Sequence, residues 1–475
     1  MPPKDFSKTK IIATLGPSCS SVESIRALLN AGADCLRINF SHGRGPDLKP
    51  LLDAAREACR LEGVPAPILA DVQGPKLRIG QLPREGVLLQ DGGKFTITSQ
   101  TVAGSEEEVS TPHREILPAL KPGAKIFLAD GTIELQVEKN SAEEVQTRVV
   151  SGGRLYSRKG MNLPGTPLPF LETVTPRDRE DLAFIAEHGF DMVAISFVRK
   201  PEDLEEARRL LRGKKTPVMA KIERPEALGR IGEILEASDG IMLARGDLGV
   251  EVPLERVPIL QKEILAEAAS RGKWTIVATQ MLSSMTTSPR PTRAEVSDVA
   301  NAILDGADVL MLSDETATGS YPVQAVETMM KIALEVERSA PISIARARPE
   351  NSGYSGGAAG AAVLAAERLG AKAIVTLAGS GLSALLVSKQ RPMLPVLSLS
   401  AHEGTLRRLN VLWGITPVKI ESRADVEDQI RTADKLLLQE NWARMGDTVV
   451  VVAALPLGQG RETNTIRFHH VGQPV

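Results

Sequence analysis

The 475-residue chain is poor in aromatics: Phe, Tyr and Trp make up 3% of it. Stacking platforms for single-stranded nucleic acid are therefore scarce. Net charge is small as well, since 57 Lys and Arg against 59 Asp and Glu leave −2. No bulk basic field exists to hold a phosphate backbone. Only three cysteines occur, Cys19, Cys35 and Cys59. They are too few for a disulfide framework, and no pair has metal-knuckle spacing. A reducing, cytoplasmic setting fits that usage. The opening MPPKDFSKTK lacks the apolar run of a signal peptide. No stretch approaches the roughly 18 apolar residues of a membrane span. Neither nucleic acid nor membrane is expected as a partner.

What is present is ordinary globular usage, 42% hydrophobic and 24% charged, which excludes a disordered or collagen-like chain. The length suggests about three domains. Short apolar runs alternate with helical patterns. Strands are expected at 10–15, 35–39, 67–71, 192–197, 217–222, 241–244, 274–278 and 309–312. Most are continuously apolar, as parallel strands buried on both faces are. Helices are expected at 21–31, 175–188, 226–237, 254–271, 293–304 and 323–338. Eight strand–helix units are the number that closes a parallel barrel. The fold class expected is α/β, a (β/α)8 barrel.

One connection is too long. Between strands three and four, residues 78–165 read as strands at 86–98, 124–137 and 143–150, with turns at Asp91-Gly92-Gly93, Lys121-Pro122-Gly123, Asp130-Gly131 and Gly152-Gly153. An all-β insert in a βα loop would lie over the C-terminal face of the barrel, as a lid could. Residues 341–357, rich in Pro, Ser and Gly, read as a linker. A second α/β series follows, with strands at 373–377, 395–400, 415–420 and 448–455, and is expected to be doubly wound. The division expected is 1–77 and 166–342 for the barrel, 78–165 for the insert and 343–475 for the last domain.

Polar residues cluster at the strand ends. Glu223 and Asp247 end neighbouring strands and could share a hard divalent cation; the alternative is a pair of rim acids bridged to Arg224 or Arg245. Lys221 shares a strand face with Glu223. It would meet an anion in transfer or form an ion pair with Glu223. The turn 245–249 could present amides to a carboxylate. Arg37 is a candidate phosphate fork or a rim salt bridge. Thr279 and Ser313 could relay a proton or cap helices. His42 could touch a phosphate from its loop or stand exposed.

Seven blocks in order resemble pyruvate kinase: TKIIATLGP (9–17), LRINFSHG (36–43), GMNLPG (160–165), MAKIERP (219–225), GIMLARGDLGVE (240–251), ATQMLSSM (278–285) and MLSDETATGSYP (311–322). The resemblance runs from about Lys8 to the C-terminus and is weaker in the last domain. It implies transfer of the phosphoryl group of phosphoenolpyruvate to ADP, giving pyruvate and ATP. It implies that Glu223 and Asp247 hold Mg²⁺ or Mn²⁺. Lys221 would steady the phosphoryl group and the enolate, and Arg37 would hold the phosphate. The Gly246 and Asp247 amides with Thr279 would take the carboxylate, and Thr279 and Ser313 would serve the proton relay. Thr14, Pro17, Asn39, His42, Arg78, Asp130 and Lys159 match nucleotide-side positions. A homotetramer is implied too.

Two departures carry information. Family members that require K⁺ carry Thr, Lys and Glu in the third-strand segment, and Thr just after it. Here Val72, Gln73, Lys76 and Ile79 stand at those places. Asn39, Ser41 and Asp71, which resemble K⁺ ligands, remain. The resemblance is to the K⁺-independent branch, with the Lys76 ammonium in the role of the monovalent cation. In the last domain, Ala378 and Gly379 replace the Thr and Lys of fructose-bisphosphate-responsive members. Ser380, Gly381 and Ser383 remain, and Gly460 lies in a second Gly-rich segment. A sugar monophosphate or AMP effector is favoured at that loop, with a tight turn and no ligand as the alternative. Two other functions compete: a metal-dependent aldolase or lyase barrel that binds phosphoenolpyruvate or pyruvate, and a non-catalytic sugar-phosphate sensor.

Overall fold

The computed structural model describes residues 7–339, 353–421, 425–456 and 462–474. Eight parallel strands close a barrel. They are β1 (Lys10–Thr14), β2 (Cys35–Asn39), β3 (Ile68–Asp71), β4 (Met192–Ile195), β5 (Val218–Ile222), β6 (Gly240–Ala244), β7 (Trp274–Ala278) and β8 (Val309–Leu312). Each pairs with its sequence neighbours, and β1 closes on β8. The continuous apolar runs follow from burial on both faces. Alternate residues such as Ile12, Leu69, Met219, Met242 and Ile276 fill the barrel interior. Their neighbours Ile11, Ile68, Val218, Ile241 and Val277 pack outward against the helices.

The helices begin where side chains satisfy their first amides. Ser21 with Ser24, Thr175 with Asp178 and Thr292 with Glu295 form capping boxes. The segment expected as one helix over 226–237 is two, Pro225–Leu228 and Ile231–Ala237, because Arg230 leaves the helical region beside Gly229. Helices Gly45–Glu62 and Pro201–Leu210 carry no expectation from the sequence.

The barrel floor has a repeated device. An aspartate precedes every even strand and accepts an amide of the odd strand before it. Ile11 donates to Asp34, Ile68 to Asp191, Val218 to Asp239 and Thr275 to Asp308, all at 2.7–2.9 Å. Each carboxylate also meets cations: Lys10 on Asp34, Arg56 and Arg407 on Asp191, Arg208 on Asp239, and Lys389 with Arg391 on Asp308.

The long β3–β4 connection forms a six-stranded sheet and a two-stranded ribbon, with a separate core around Phe95, Ile97, Ile126, Leu135 and Val145. The runs expected as single strands over 86–98 and 124–137 are each broken in two by their glycine turns. In the last domain, strands Ile415–Lys419, Val396–Ser400, Ala373–Leu377 and Thr448–Ala453 are parallel. An antiparallel edge strand, Thr465–His470, completes the sheet. Apolar clusters cover both of its faces, the doubly wound arrangement. Its first helix starts at Gly353, inside the segment read as a linker; residues 340–352 lie outside the described residues. No helix among the described residues is long and apolar enough to cross a membrane.

Candidate active site at the barrel rim

The C-terminal ends of β2, β3 and β5 carry charges of alternating sign. Arg37 Nε lies 2.8 Å from Asp71 Oδ2, and its Nη1 donates to Thr14 Oγ1 at 3.0 Å. Asp71 Oδ1 meets Lys221 Nζ at 3.2 Å, and Lys221 reaches Glu223 Oε1 at 2.9 Å. All four side chains are buried. Burial works against the Lys221 charge, but Asp71 and Glu223 overcome it and hold the ammonium above the usual lysine range. Burial would lift Asp71, yet Lys221 and Arg37 hold it below the carboxylate range. Glu223 differs: burial and the nearby Asp247 charge lift it, and Lys221 offsets them only in part. This acid is short of positive charge.

Asp247 meets Lys76 Nζ at 3.1 Å. Lys76 comes from the segment joining β3 to the insert. Gly160 brings the insert there as well: a Cβ on it would lie 3.3 Å from Lys76 Cε and 3.8 Å from Asp130 Oδ1. Among the described residues no group of three or more His, Cys, Asp or Glu could hold a metal. The carboxylates of Glu223, just past β5, and of Asp247, in the helix that follows β6, would suit a hard cation such as Mg²⁺.

Residues 245–249 form the start of a helix, Arg245–Glu251, where the sequence suggested a turn. The Gly246 amide donates to Thr279 Oγ1 at 2.7 Å, so two of the three expected carboxylate-binding groups are adjacent and bonded to each other. A Cβ on Gly246 would stand 3.3 Å from that oxygen. Thr279 and Gln280 have φ of +72° and +56°, a conformation that costs a β-branched residue energy. Arg245 does not reach the rim acids. It grips Asp298 with two bonds of 2.6 Å and donates to the Thr279 carbonyl at 3.1 Å. Arg224 pairs with Glu251 and Glu226 rather than with Glu223 or Asp247. Ser313 stands at the N-cap position of the short helix Asp314–Ala317, but its Oγ makes no capping bond: it is buried with no hydrogen-bond partner, while its amide donates to Glu315.

The nucleotide-side candidates are more scattered. Pro17 opens a short 3₁₀ turn. Asn39 Oδ1 accepts from the Ser41 amide at 3.1 Å. His42 is exposed at the end of a 3₁₀ turn rather than in an open loop. Arg78 donates to the Arg158 carbonyl at 3.0 Å. Asp130 (φ +57°) and Lys159 are exposed on the insert. One rim residue escaped the sequence reading: Ser196 at the end of β4, whose Oγ accepts from Lys221 at 2.7 Å. Its only signal is a hydroxyl interrupting an apolar run.

At the effector loop, Gly381 (φ +95°) precedes helix Leu382–Lys389. Ser383 is buried against Thr463, with 2.6 Å between their hydroxyl oxygens, and Gly460 lies outside the described residues. Ser380 and Gly381 line a cavity of about 460 Å³ between this domain and the barrel floor, with Arg208, Lys215, Arg408 and Trp274 on its walls.

A closed parallel barrel whose rim sets Arg and Lys against three carboxylates, under an inserted β-domain, is the architecture of a barrel enzyme acting on small anions. The model of the pyruvate kinase barrel domain matches residues 6–326, and that of the pyruvate kinase alpha/beta domain matches residues 358–469. The chain is 44% identical to the pyruvate kinase of Methylorubrum extorquens over 468 residues, 98% of this chain and 97% of that one. It is 41% identical to pyruvate kinase 2 of a Synechocystis species, covering 98% of this chain and 79% of the relative. For the Geobacillus stearothermophilus pyruvate kinase the identity is 38%, covering 97% and 80%. The chain belongs to the pyruvate kinase family.

Proposed function

We propose that the chain of charges from Arg37 through Asp71 and Lys221 to Glu223 is the phosphoryl-transfer centre of a pyruvate kinase. The observation that carries this reading is the buried Lys221 ammonium, held charged by two acids at the end of β5. Phosphoryl transfer from phosphoenolpyruvate to ADP needs positioning and charge neutralisation more than covalent chemistry. Lys221 faces the phosphoryl group in transfer and then the enolate oxygen. Arg37 holds the phosphate. Thr279 and the Gly246 and Asp247 amides seat the carboxylate, once the Gly246–Thr279 bond is exchanged for bonds to substrate. Ser313, with a hydroxyl committed to no partner, joins Thr279 in delivering the proton that turns enolate into pyruvate. Glu223 and Asp247 would hold Mg²⁺ or Mn²⁺, which would neutralise charge on the reacting oxygens. Thr14, Pro17, Asn39, His42, Arg78, Asp130 and Lys159 form the nucleotide side. The insert excludes water that would hydrolyse the phosphoryl group.

Lys76, paired with Asp247, takes the role of the monovalent cation whose ligands Asn39, Ser41 and Asp71 resemble, so K⁺ is not required. The cavity beside Ser380 and Gly381 is lined by Lys215 and Arg408, with Arg208 held by Asp239, and suits a phosphorylated effector, a sugar monophosphate or AMP. Three buried free thiols suit a reducing cytoplasm, and a homotetramer is the proposed assembly. A coupled assay tests the central reading: ATP must form from phosphoenolpyruvate and ADP, and Lys221→Ala must lower turnover by about a thousandfold or more. Cleavage or condensation without ATP would instead mark an aldolase or lyase, and unchanged turnover in Lys221→Ala would refute the assignment.

A further inference from the structure

Glu251 ends the helix that begins at Arg245, one turn beyond Asp247. It is buried, and the reaction proposed above does not use it. Its Oε1 accepts two hydrogen bonds from different bodies. Asn162 of the insert donates from Nδ2 at 3.0 Å. Arg224, the residue after Glu223, donates from Nη1 at 3.1 Å. Asn162 lies on the return strand of the insert, paired with Phe127. A second contact runs parallel to this one: a Cβ on Gly131, at a turn of the insert, would lie 3.3 Å from the Val250 side chain of the same helix. One carboxylate oxygen thus joins the insert, the helix bearing Asp247 and the residue adjoining Glu223.

Burying a carboxylate and a guanidinium is costly unless both are paired. Arg224 is 12% exposed and the Glu251 side chain 1%. This bond therefore resists separation, and whatever moves Asn162 moves the charge that anchors Arg224. We propose that Glu251 is a positioning residue that makes the separation and orientation of Glu223 and Asp247 depend on the docking of the insert. The inference rests on the assignment of those two acids as the cation site. Affinity for a divalent ion would then report the state of the insert, even with no nucleotide or substrate bound.

The test is Mn²⁺ binding to the full, substrate-free chain, measured by calorimetry. Glu251→Gln keeps shape and the Asn162 bond but removes the charge facing Arg224. Asn162→Ala removes only the insert's side of the junction. Each is expected to weaken Mn²⁺ binding, Glu251→Gln by about tenfold, as loss of a group that orients metal ligands does. The double variant is expected to be no weaker than Glu251→Gln alone, because both act through one oxygen. Mn²⁺ affinity within about twofold of the parent in either single variant, or additive losses in the double, would overturn the inference. Glu223→Gln is the control. If it binds Mn²⁺ as the parent does, the cation site itself is wrongly assigned. If it loses binding while Glu251→Gln does not, only the positioning role fails. Should Glu251→Gln not fold, Asn162→Ala still decides the question.

Discussion

Reversing one charge tests the role of Lys76. Its ammonium lies 3.1 Å from Asp247 Oδ1, with the two side chains 26% and 22% exposed. At that distance a unit pair attracts by about 5 kcal/mol at an effective dielectric of about 20, and by about 1.3 kcal/mol in bulk water. Solvent access and desolvation reduce the net value, so truncation is expected to cost about 1–2 kcal/mol. Lys76→Glu removes the attraction and adds a repulsion of similar size, about 2–4 kcal/mol in total. That is about a 30- to 1000-fold loss of turnover. The assay is steady-state ATP formation at fixed ionic strength, with Na⁺ exchanged for K⁺. The parent enzyme is expected to respond by less than about twofold, and Lys76→Glu to be slow in Na⁺ and restored by about tenfold or more in K⁺. An absolute K⁺ requirement in the parent, or full activity of Lys76→Glu in Na⁺, would refute the reasoning.

Three other outcomes follow from the geometry. Asp308→Ala leaves Lys389 and Arg391, 1% and 3% exposed, without their counter-charge, and should lower unfolding free energy by about 3–5 kcal/mol in a denaturant titration. Burial pushes the Asp181 carboxyl up to about 6, although the Gly45 amide and Arg177 oppose it. Between the unfolded value of 3.8 and that figure the folded state holds the extra proton, so this group costs stability as pH rises through the window. Asp181→Asn should therefore gain about 1–2 kcal/mol near neutral pH and nothing near pH 4; an equal shift at both would contradict the burial argument. Thr279→Gly relieves a positive φ and should leave stability unchanged or raised by up to about 1 kcal/mol, while turnover falls by about a hundredfold. A matching loss of both would mean that Thr279 is structural.

Much of the barrel is legible because one physical cause writes it. Burial on both faces leaves only apolar runs, and β2, β7 and β8 match the runs read from the sequence residue for residue. Helix ends are legible where capping chemistry is local, as at Ser21 and Thr292. The break at Gly229-Arg230 is not, because helical periodicity continues across it. Nor is the edge strand Thr465–His470, whose mixed polarity follows from partial exposure and whose partner lies on a strand already counted. At the site, residue types at strand ends nominated Lys221, Glu223 and Asp247. Partner choice was beyond reach: Arg245 turns to Asp298 and Arg224 to Glu251, because helices distant in sequence supply the nearer carboxylates. Ser196 was hidden by its apolar neighbours.

The ring of aspartates under the barrel divides it into quarters. Each is a two-strand module with the same stitch, yet the modules are not equally provided for. Lys10 and Arg208 serve their aspartates from within the barrel. Asp191 draws on both bodies, through Arg56 and Arg407. Asp308 depends on Lys389 and Arg391 of the last domain alone. The fourth quarter, which holds β7 and β8 and hence Thr279 and Ser313, is thus completed by a body outside the barrel. A barrel cut free of that domain would carry an aspartate stripped of both its counterions beneath β7 and β8. The last domain is in this sense a component of the barrel's own foundation.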